Sequence, residues 1–317
     1  MKIPYTVFTL LATTIGASLA LSANVQAEEN KQIVASIKPL HSLVNNITKD
    51  ISKPGLILNS SASPHTYNLK PSEATKLSRA DVIFWIGPQV EAFLQKPLAS
   101  LASSATVVSF LQPATPSETH EENDNHEENE KHDHEKHSEH DNDHGHDHDD
   151  GFDPHIWLNP QDSKEIVEKI AATLIRVDPA NMAKYQANLQ ATLGKLDKLD
   201  TELASKLGNV GPILVFHNAY THLAERYKLN IAGVLVHNPG LTPGAKRIRK
   251  ISQQIKTAKA TCIFSEPQFN SKLIDTIARD TNIKTGTLDP LASNLTPGPN
   301  LYFDMMHQIA DTLARCN

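Results

Sequence analysis

Nine histidines stand within the thirty-four residues 117–150, interleaved with fifteen carboxylates and opposed only by Lys131 and Lys136. Neutral imidazole is the commonest protein ligand for zinc, copper and nickel, so runs such as His132-Asp133-His134 and His144-Gly145-His146-Asp147-His148 predict binding of such ions. The tract has no apolar period and too little hydrophobic surface to offset the entropy of ordering, which predicts disorder without a ligand. A segment that must order itself around an ion binds it more weakly than a cage built in advance. His132, His134, His144, His146 and His148 therefore read as an auxiliary metal site, a collector or a sensor. Adventitious binding by a solvated segment is the plainer alternative.

Four other residues share a different kind of position. His65, in Ser63-Pro64-His65-Thr66-Tyr67, follows the apolar run 56–59, and His155 lies in Asp153-Pro154-His155-Ile156-Trp157-Leu158 just beyond the acidic tract. His217 ends the run Ile213-Leu214-Val215-Phe216, and Asp289 sits between Gly286-Thr287-Leu288 and Pro290. Each histidine alone reads as a hydrogen-bonded structural residue. All four, however, stand where a strand-like run gives way to a loop, and in open α/β sheets ligands collect beyond the carboxyl ends of strands.

The elements that must position these residues are legible as alternating patterns. Short β-branched runs at 33–37, 56–59, 82–86 and 107–110, then at 213–216, 231–236 and 262–265, alternate with helical spacings, which predicts α/β units with mainly parallel sheets. Between the two sets, Asp178-Pro179 opens a segment to about Leu207 with Met182, Tyr185, Leu189, Leu193, Leu196 and Leu199 at helical intervals. A helix of that length would run ~43 Å, enough to lie along two lobes and to restrict their hinge bending. The expectation is a signal peptide over 1–27, an amino-terminal lobe over 28–178 with the tract 117–150 inserted as a loop, a connecting helix over 179–207, and a carboxy-terminal lobe over 208–317. The leader reads from Met1-Lys2-Ile3, an apolar stretch to Leu21 and the small-residue end Val25-Gln26-Ala27, and it places the mature chain in the cell envelope. Cys262 and Cys316, the only cysteines, most simply form one disulfide in an exported chain, with two separate buried thiols as the alternative. Neither can carry a lipid at the cleavage point. No basic patch with interleaved aromatics exists, which speaks against nucleic acid.

Taken together the motifs resemble the metal-binding subunits of ABC importers for zinc and manganese, and within them the zinc-uptake proteins of the ZnuA type. The resemblance rests on Ser36-Ile37-Lys38-Pro39-Leu40-His41, the His65 segment ending in Lys70-Pro71-Ser72, Phe84-Trp85-Ile86-Gly87-Pro88 with Glu91, and Asp153-Pro154-His155-Ile156-Trp157. It continues through Phe216-His217-Asn218-Ala219-Tyr220, Asn238-Pro239, Ser265-Glu266-Pro267-Gln268-Phe269 and Gly286-Thr287-Leu288-Asp289-Pro290-Leu291. It implies two α/β lobes joined by one long helix, metal in the cleft between them, a Cys262–Cys316 disulfide, and His65, His155 and His217 as primary ligands. Three imidazoles and one oxygen suit tetrahedral zinc (Zn2+), whereas manganese prefers six oxygen-rich ligands. The fourth position falls to Asp289 or to a water that Asp289 orients. Asn218 stands where an aspartate is more usual, and Val234 where some relatives carry an auxiliary ligand, so a second site would lean on the tract with His222 or His237. Glu266 reads as a structural or interface residue at least as well as a metal contact. His41 and His307 read as packing or capping residues, Trp85 and Trp157 as lobe packing.

Three histidines with an open position also describe catalytic zinc, so a zinc-dependent hydrolase is the rival reading, beside a manganese-binding homologue. No His-Glu-x-x-His helix or Gly-x-Ser-x-Gly elbow supports an enzyme. The reading is instead a periplasmic, monomeric zinc carrier that delivers its ion to the inner-membrane permease of an ABC importer, whose ATPase acts indirectly. A zinc buffer or adhesin would differ in not stimulating transport.

Overall fold

The computed structural model describes Met1 and residues 31–111, 152–236 and 244–316. Residues 2–27 of the leader, the tract with its five named histidines, His237 and the motif Asn238-Pro239 lie outside the described residues.

The first half of the chain forms β1 (Ile33–Ala35), α1 (Lys38–Ile47), β2 (Gly55–Leu56), α2 (Pro71–Ser78), β3 (Val82–Trp85), α3 (Ala92–Leu101) and β4 (Thr106–Ser109). Then come α4 (Pro160–Val177) and α5 (Met182–Leu207). The second half forms β5 (Ile213–His217), α6 (Thr221–Tyr227), β6 (Ile231–Val236), α7 (Ala245–Thr257), β7 (Cys262–Ser265), α8 (Lys272–Thr281), β8 (Lys284–Thr287) and α9 (Leu301–Ala314). The strands make two parallel four-stranded sheets with the same winding, β2-β1-β3-β4 and β6-β5-β7-β8. The expected architecture of two parallel-sheet lobes with a long helix between them is the one observed.

Both faces of each sheet are covered, which is why the strands read as continuous apolar runs. Alternate residues take opposite faces. Ile33, Ala35, Val82 and Phe84 join the large central core with α1, α4 and α5, while Val34, Ile83 and Trp85 pack outward with Leu77, Leu94 and Leu98. The second sheet repeats this, with Ile213, Val215, Cys262 and Phe264 inward and Leu214, Phe216 and Ile263 outward against Ile251, Ile255, Ile274 and Ile277. Two details depart from the sequence reading. The run at 56–59 pairs formally only over Gly55–Leu56, and its next amides continue the contact through Ile57 N to Ala35 O and Leu58 N to Ser36 O. β8 was not among the expected strands, because Lys-Thr-Gly-Thr at a largely exposed edge has no core to face.

α5 has 26 residues and runs about 39 Å, packing against α1, α4, α6 and α9. Tyr185, Leu196, Leu199, Leu203 and Leu207 are buried along it, while Met182 is 45% exposed and takes no part. Asp178-Pro179 starts a single 3-10 turn, Pro179–Asn181, and Asp178 then accepts from Asn181 and from the Tyr185 hydroxyl at 3.0 and 2.8 Å.

The lobes are also tied along a seam. Lys38 at the start of α1 is buried, and its ammonium donates to the carbonyls of Ala292, Ser293 and Leu295 at 3.4, 2.7 and 3.3 Å. Ser42 and Asn46 donate to Pro299 O, and the Trp157 indole donates to Pro290 O at 2.8 Å. Cys262 in β7 is bonded to Cys316 beyond α9, with Cα atoms 5.8 Å apart, so the last helix is stapled to the second sheet as expected. The bridge closes a 54-residue separation. Replacing both cysteines by serine is expected to cost about 4 kcal/mol, seen as a fall of about 8 °C in the thermal midpoint.

Candidate metal centre

Three histidines from three separate loops meet at the carboxyl ends of the two sheets. His65 is carried on the 3-10 turn Pro64–Thr66 after β2, His155 follows the return from the tract, and His217 is the last residue of β5. Their coordinating nitrogens lie within 4.8 Å of one another, the only such group among the described residues. His155 Nε2 stands 3.3 Å from His65 Nε2 and 3.3 Å from His217 Nε2.

The other edge of each ring is occupied. His155 Nδ1 lies 2.7 Å from Asp153 Oδ1, and His217 Nδ1 lies 2.7 Å from Glu266 Oε1. A carboxylate only accepts, so each Nδ1 carries a proton, and in the neutral ring Nε2 keeps the lone pair that a metal needs. His65 hydrogen-bonds to the backbone of Gln89. That loop is fixed by Glu91, fully buried, which accepts from the Ser36 hydroxyl and from Gly87 N at 3.0 Å. Burial pushes the Glu91 carboxyl up to about 7 despite these donors. Gly87 has φ +153°, and a Cβ there would meet Leu111 Cβ at 3.1 Å, so the turn needs glycine.

Burial, then the neighbouring His155 and His217, lowers His65 to about 3, and burial likewise lowers His155. The burial of Asp153 opposes its ionisation, but hydrogen bonds from the His155 ring and backbone and from Thr221 N, at 2.7 Å, outweigh it and bring the carboxyl to about 2. The site thus has three rings turned inward and buried carboxylates behind two of them. Electron pairs facing one another at 3.3 Å are what a cation reconciles.

Asp289 stands outside this group. Its carboxylate accepts from Gln268 Nε2 at 2.9 Å, Ser293 N at 2.6 Å and Leu291 N at 3.2 Å, closing the turn after β8. His222 is also unsuited to an ion. It pairs with Asp162 at 2.9 Å and bonds Asp153 O at 2.8 Å, and the hydrogen bond to Asp162 first of all raises it to about 9, so both nitrogens are protonated and engaged. His41 contacts Pro54 O and Asn45 in the core, and His307 lies 3.4 Å from Glu202, in keeping with packing roles. Trp157 is fully buried with its ring 5.1 Å from that of His155.

The sequence reading assigned no role to Asp153 or Gln89, and it left that of Glu266 open. Asp153 and Glu266 were both visible in principle as acids, Glu266 directly after the strand-like run 262–265 and Asp153 two residues before a candidate ligand. Carboxylate partners of ligating imidazoles typically contribute 10- to 100-fold in metal affinity. Asp153→Asn and Glu266→Gln are each expected to weaken binding by about that factor in a chelator competition, with the three imidazoles intact.

The profile of the family described as zinc-uptake complex component A, periplasmic, matches residues 33–316. The chain belongs to this ZnuA family. It is 42% identical to the high-affinity zinc uptake system protein ZnuA of Brucella abortus (strain 2308) over 325 residues, 96% of this chain and 95% of the relative. A crystal structure of ZnuA superposes with a TM-score of 0.71 at 25% identity, covering 90% of this chain and 99% of the other. A zinc-bound ZnuA deletion mutant gives 0.71 at 25% identity, covering 91% and 98%. Membership makes the chain a periplasmic component of zinc uptake, not the manganese branch and not a hydrolase. The family role implies a membrane permease as partner. Among the described residues no helix is long and apolar enough to cross a membrane.

Proposed function

We propose that His65, His155 and His217 bind one zinc ion in the cleft between the lobes and hold it for transfer to the permease. The observation that carries this reading is His155 Nε2 standing 3.3 Å from the Nε2 atoms of both His65 and His217, all three within 4.8 Å of one another. A tetrahedral ion with Zn–N bonds of ~2.05 Å sets its ligand nitrogens about 3.3 Å apart. An octahedral ion with bonds near ~2.1 Å would bring neighbouring ligands to about 3.0 Å. Charge points the same way: three neutral imidazoles leave the +2 of the ion to be balanced, and Asp153 and Glu266 each stand one ring away.

The leader 1–27 exports the chain, the lobes 28–178 and 208–317 flank the connecting helix 179–207, and the protein works as a monomer. Because α5 and the seam ties cross between the lobes, closure on zinc is small; a large change in radius of gyration on loading would refute this. The tract 117–150 collects or senses zinc through His132, His134, His144, His146 and His148, as an accessory to the cleft. The ATPase of the importer acts through the permease, without touching the carrier.

The test is a competition titration with zinc on the whole chain and on a chain lacking 117–150. One tightly bound ion is expected to remain after the deletion. Its loss would make the tract the principal binder and overturn the assignment to the cleft.

A further inference from the structure

The three rings account for three corners of a tetrahedron, and the polar groups around the same cavity bear on the fourth. That cavity is lined by Ser63, the three histidines, Glu266 and Gln268, and it has room for about one water-sized body, which is the ion itself. Two of these residues are limited in what they can offer. Glu266 spends Oε1 on His217 Nδ1, on the edge of the ring turned away from Nε2; its Oε2 is buried without a partner as well, and the Tyr220 hydroxyl stands beside the same carboxylate. Ser63 Oγ is buried without a partner, but it is a neutral hydroxyl that nothing polarises.

Gln268 is different. Its Nε2 lies 2.9 Å from Asp289 Oδ1 and 2.7 Å from Ser293 Oγ. A carboxylate only accepts, so the amide nitrogen must face Asp289 and the orientation of the amide is fixed. Its oxygen is then turned away from Asp289, and it is buried with no hydrogen-bond partner. A buried, unpartnered amide oxygen costs on the order of 1–3 kcal/mol unless something meets it. A donor interaction with an anion on the nitrogen side makes the oxygen side more electron-rich, as it does for imidazole ligands backed by carboxylates.

We propose that the side-chain oxygen of Gln268 is the fourth ligand of the ion, with Asp289 and Ser293 as the residues that position and polarise it. This rests on the three-histidine reading of the same site. All four ligands are then neutral, and the compensating charge lies one residue behind them in Asp153, Glu266 and Asp289. Such a site favours zinc over harder ions, which take carboxylate and water oxygens. Gln268 is thereby a specificity-determining residue.

The test uses the whole chain with one equivalent of Co2+, whose visible absorption reports the coordination sphere. The His155→Ala chain supplies the contribution of the tract. In the unmodified protein the cleft bands are expected not to respond to azide, because no exchangeable water occupies the fourth position. Gln268→Leu is expected to open that position, making the bands azide-sensitive and weakening zinc by about 100-fold or more, one bond's share of a nanomolar site. Asp289→Asn is expected to shift the bands less, in the same direction. Gln268→Glu, which preserves size, is expected to raise the affinity for Mn2+ relative to zinc and keeps the test informative if the leucine variant folds poorly. Azide sensitivity in the unmodified protein, or bands that move with Asp289→Asn but not with Gln268→Leu, would overturn the proposal. If His155→Ala itself left the bands intact, the three-histidine site would fail instead, a distinct result.

Discussion

Replacing His155 by alanine is expected to lower the zinc affinity of the cleft by about 100- to 1,000-fold. A nanomolar site corresponds to about 12 kcal/mol, and four bonds sharing it hold about 3 kcal/mol each, with tenfold in affinity for every 1.4 kcal/mol. His155 is the central ring, the one whose Nε2 faces both others. Its loss also removes the ring donor to Asp153 Oδ1, a side chain with no solvent exposure, leaving that carboxylate to the amides of His155 and Thr221. The variant should therefore melt lower without metal as well as bind less. The measurement is a chelator competition on chains lacking 117–150, paired with thermal melts. His222→Ala, whose ring is held by Asp162 and Asp153 O, is the control and should change affinity by less than about threefold. Binding by His155→Ala within tenfold of the parent would exclude the cleft site.

Acid is expected to unload the site far later than three ordinary imidazoles would allow. With a usual value near 6.5, each free imidazole competing with protons at pH 5 would cost about 1.5 orders of magnitude, about 4.5 orders for three. Burial and the neighbouring rings hold His65 at about 3, so it takes up no proton in that range, and burial lowers His155, so its share of the cost is smaller than an ordinary imidazole's. From pH 7.5 to 5 the affinity should fall by less than about a thousandfold, and part of the loss expected below pH ~6 from unperturbed histidines moves to lower pH. Stability follows the same sign. A histidine whose value is lower in the fold than in the unfolded chain leaves the unfolded chain binding more protons between the two, so stability is full above about 6.5 and declines as pH falls toward 3. Burial lowers His41 as well, so it adds to this decline. Asp153, at about 2 against an ordinary 3.8, adds a second loss below about pH 4. Melting midpoints at pH 7.5, 5.5 and 4.5 without metal should fall in order, and saturating zinc should flatten the series. A zinc affinity that dropped by the full ~4.5 orders between pH 7.5 and 5 would show that the rings titrate as exposed imidazoles.

What could be read from the sequence divides along local and non-local lines. Strands with a core on both faces announce themselves, so seven of the eight were anticipated, whereas β8 has only Thr and Gly beside Lys284 and owes its place to pairing with β7. His65 and His217 were legible because each follows or ends a patterned run, and His155 because it stands just past the acidic tract between Pro154 and Trp157. Asp289 carried the same signal, yet the turn through Ser293 folds back onto its carboxylate and Gln268 takes its remaining face. That depends on two loops meeting across 21 residues, which no spacing rule encodes. His222 was a plausible accessory ligand by type; only the approach of Asp162 from α4 shows that its lone pairs are spent. Glu91, by contrast, belonged to a readable motif whose use, bracing the turn under Gln89, became clear only with Ser36 beside it.

The segment between β8 and α9 belongs by sequence to the second lobe, yet it supplies the acceptors for Lys38, Ser42 and Asn46 in the first. Those partners lie 253 to 257 residues apart along the chain. Contacts of such long range close late in folding, after most of the loop-closure entropy has been met. The amino-terminal half consequently cannot bury its lysine until the final tenth of the polypeptide arrives. In a chain made from its amino terminus, this delays tight packing of the first lobe until the segment just before α9 is available.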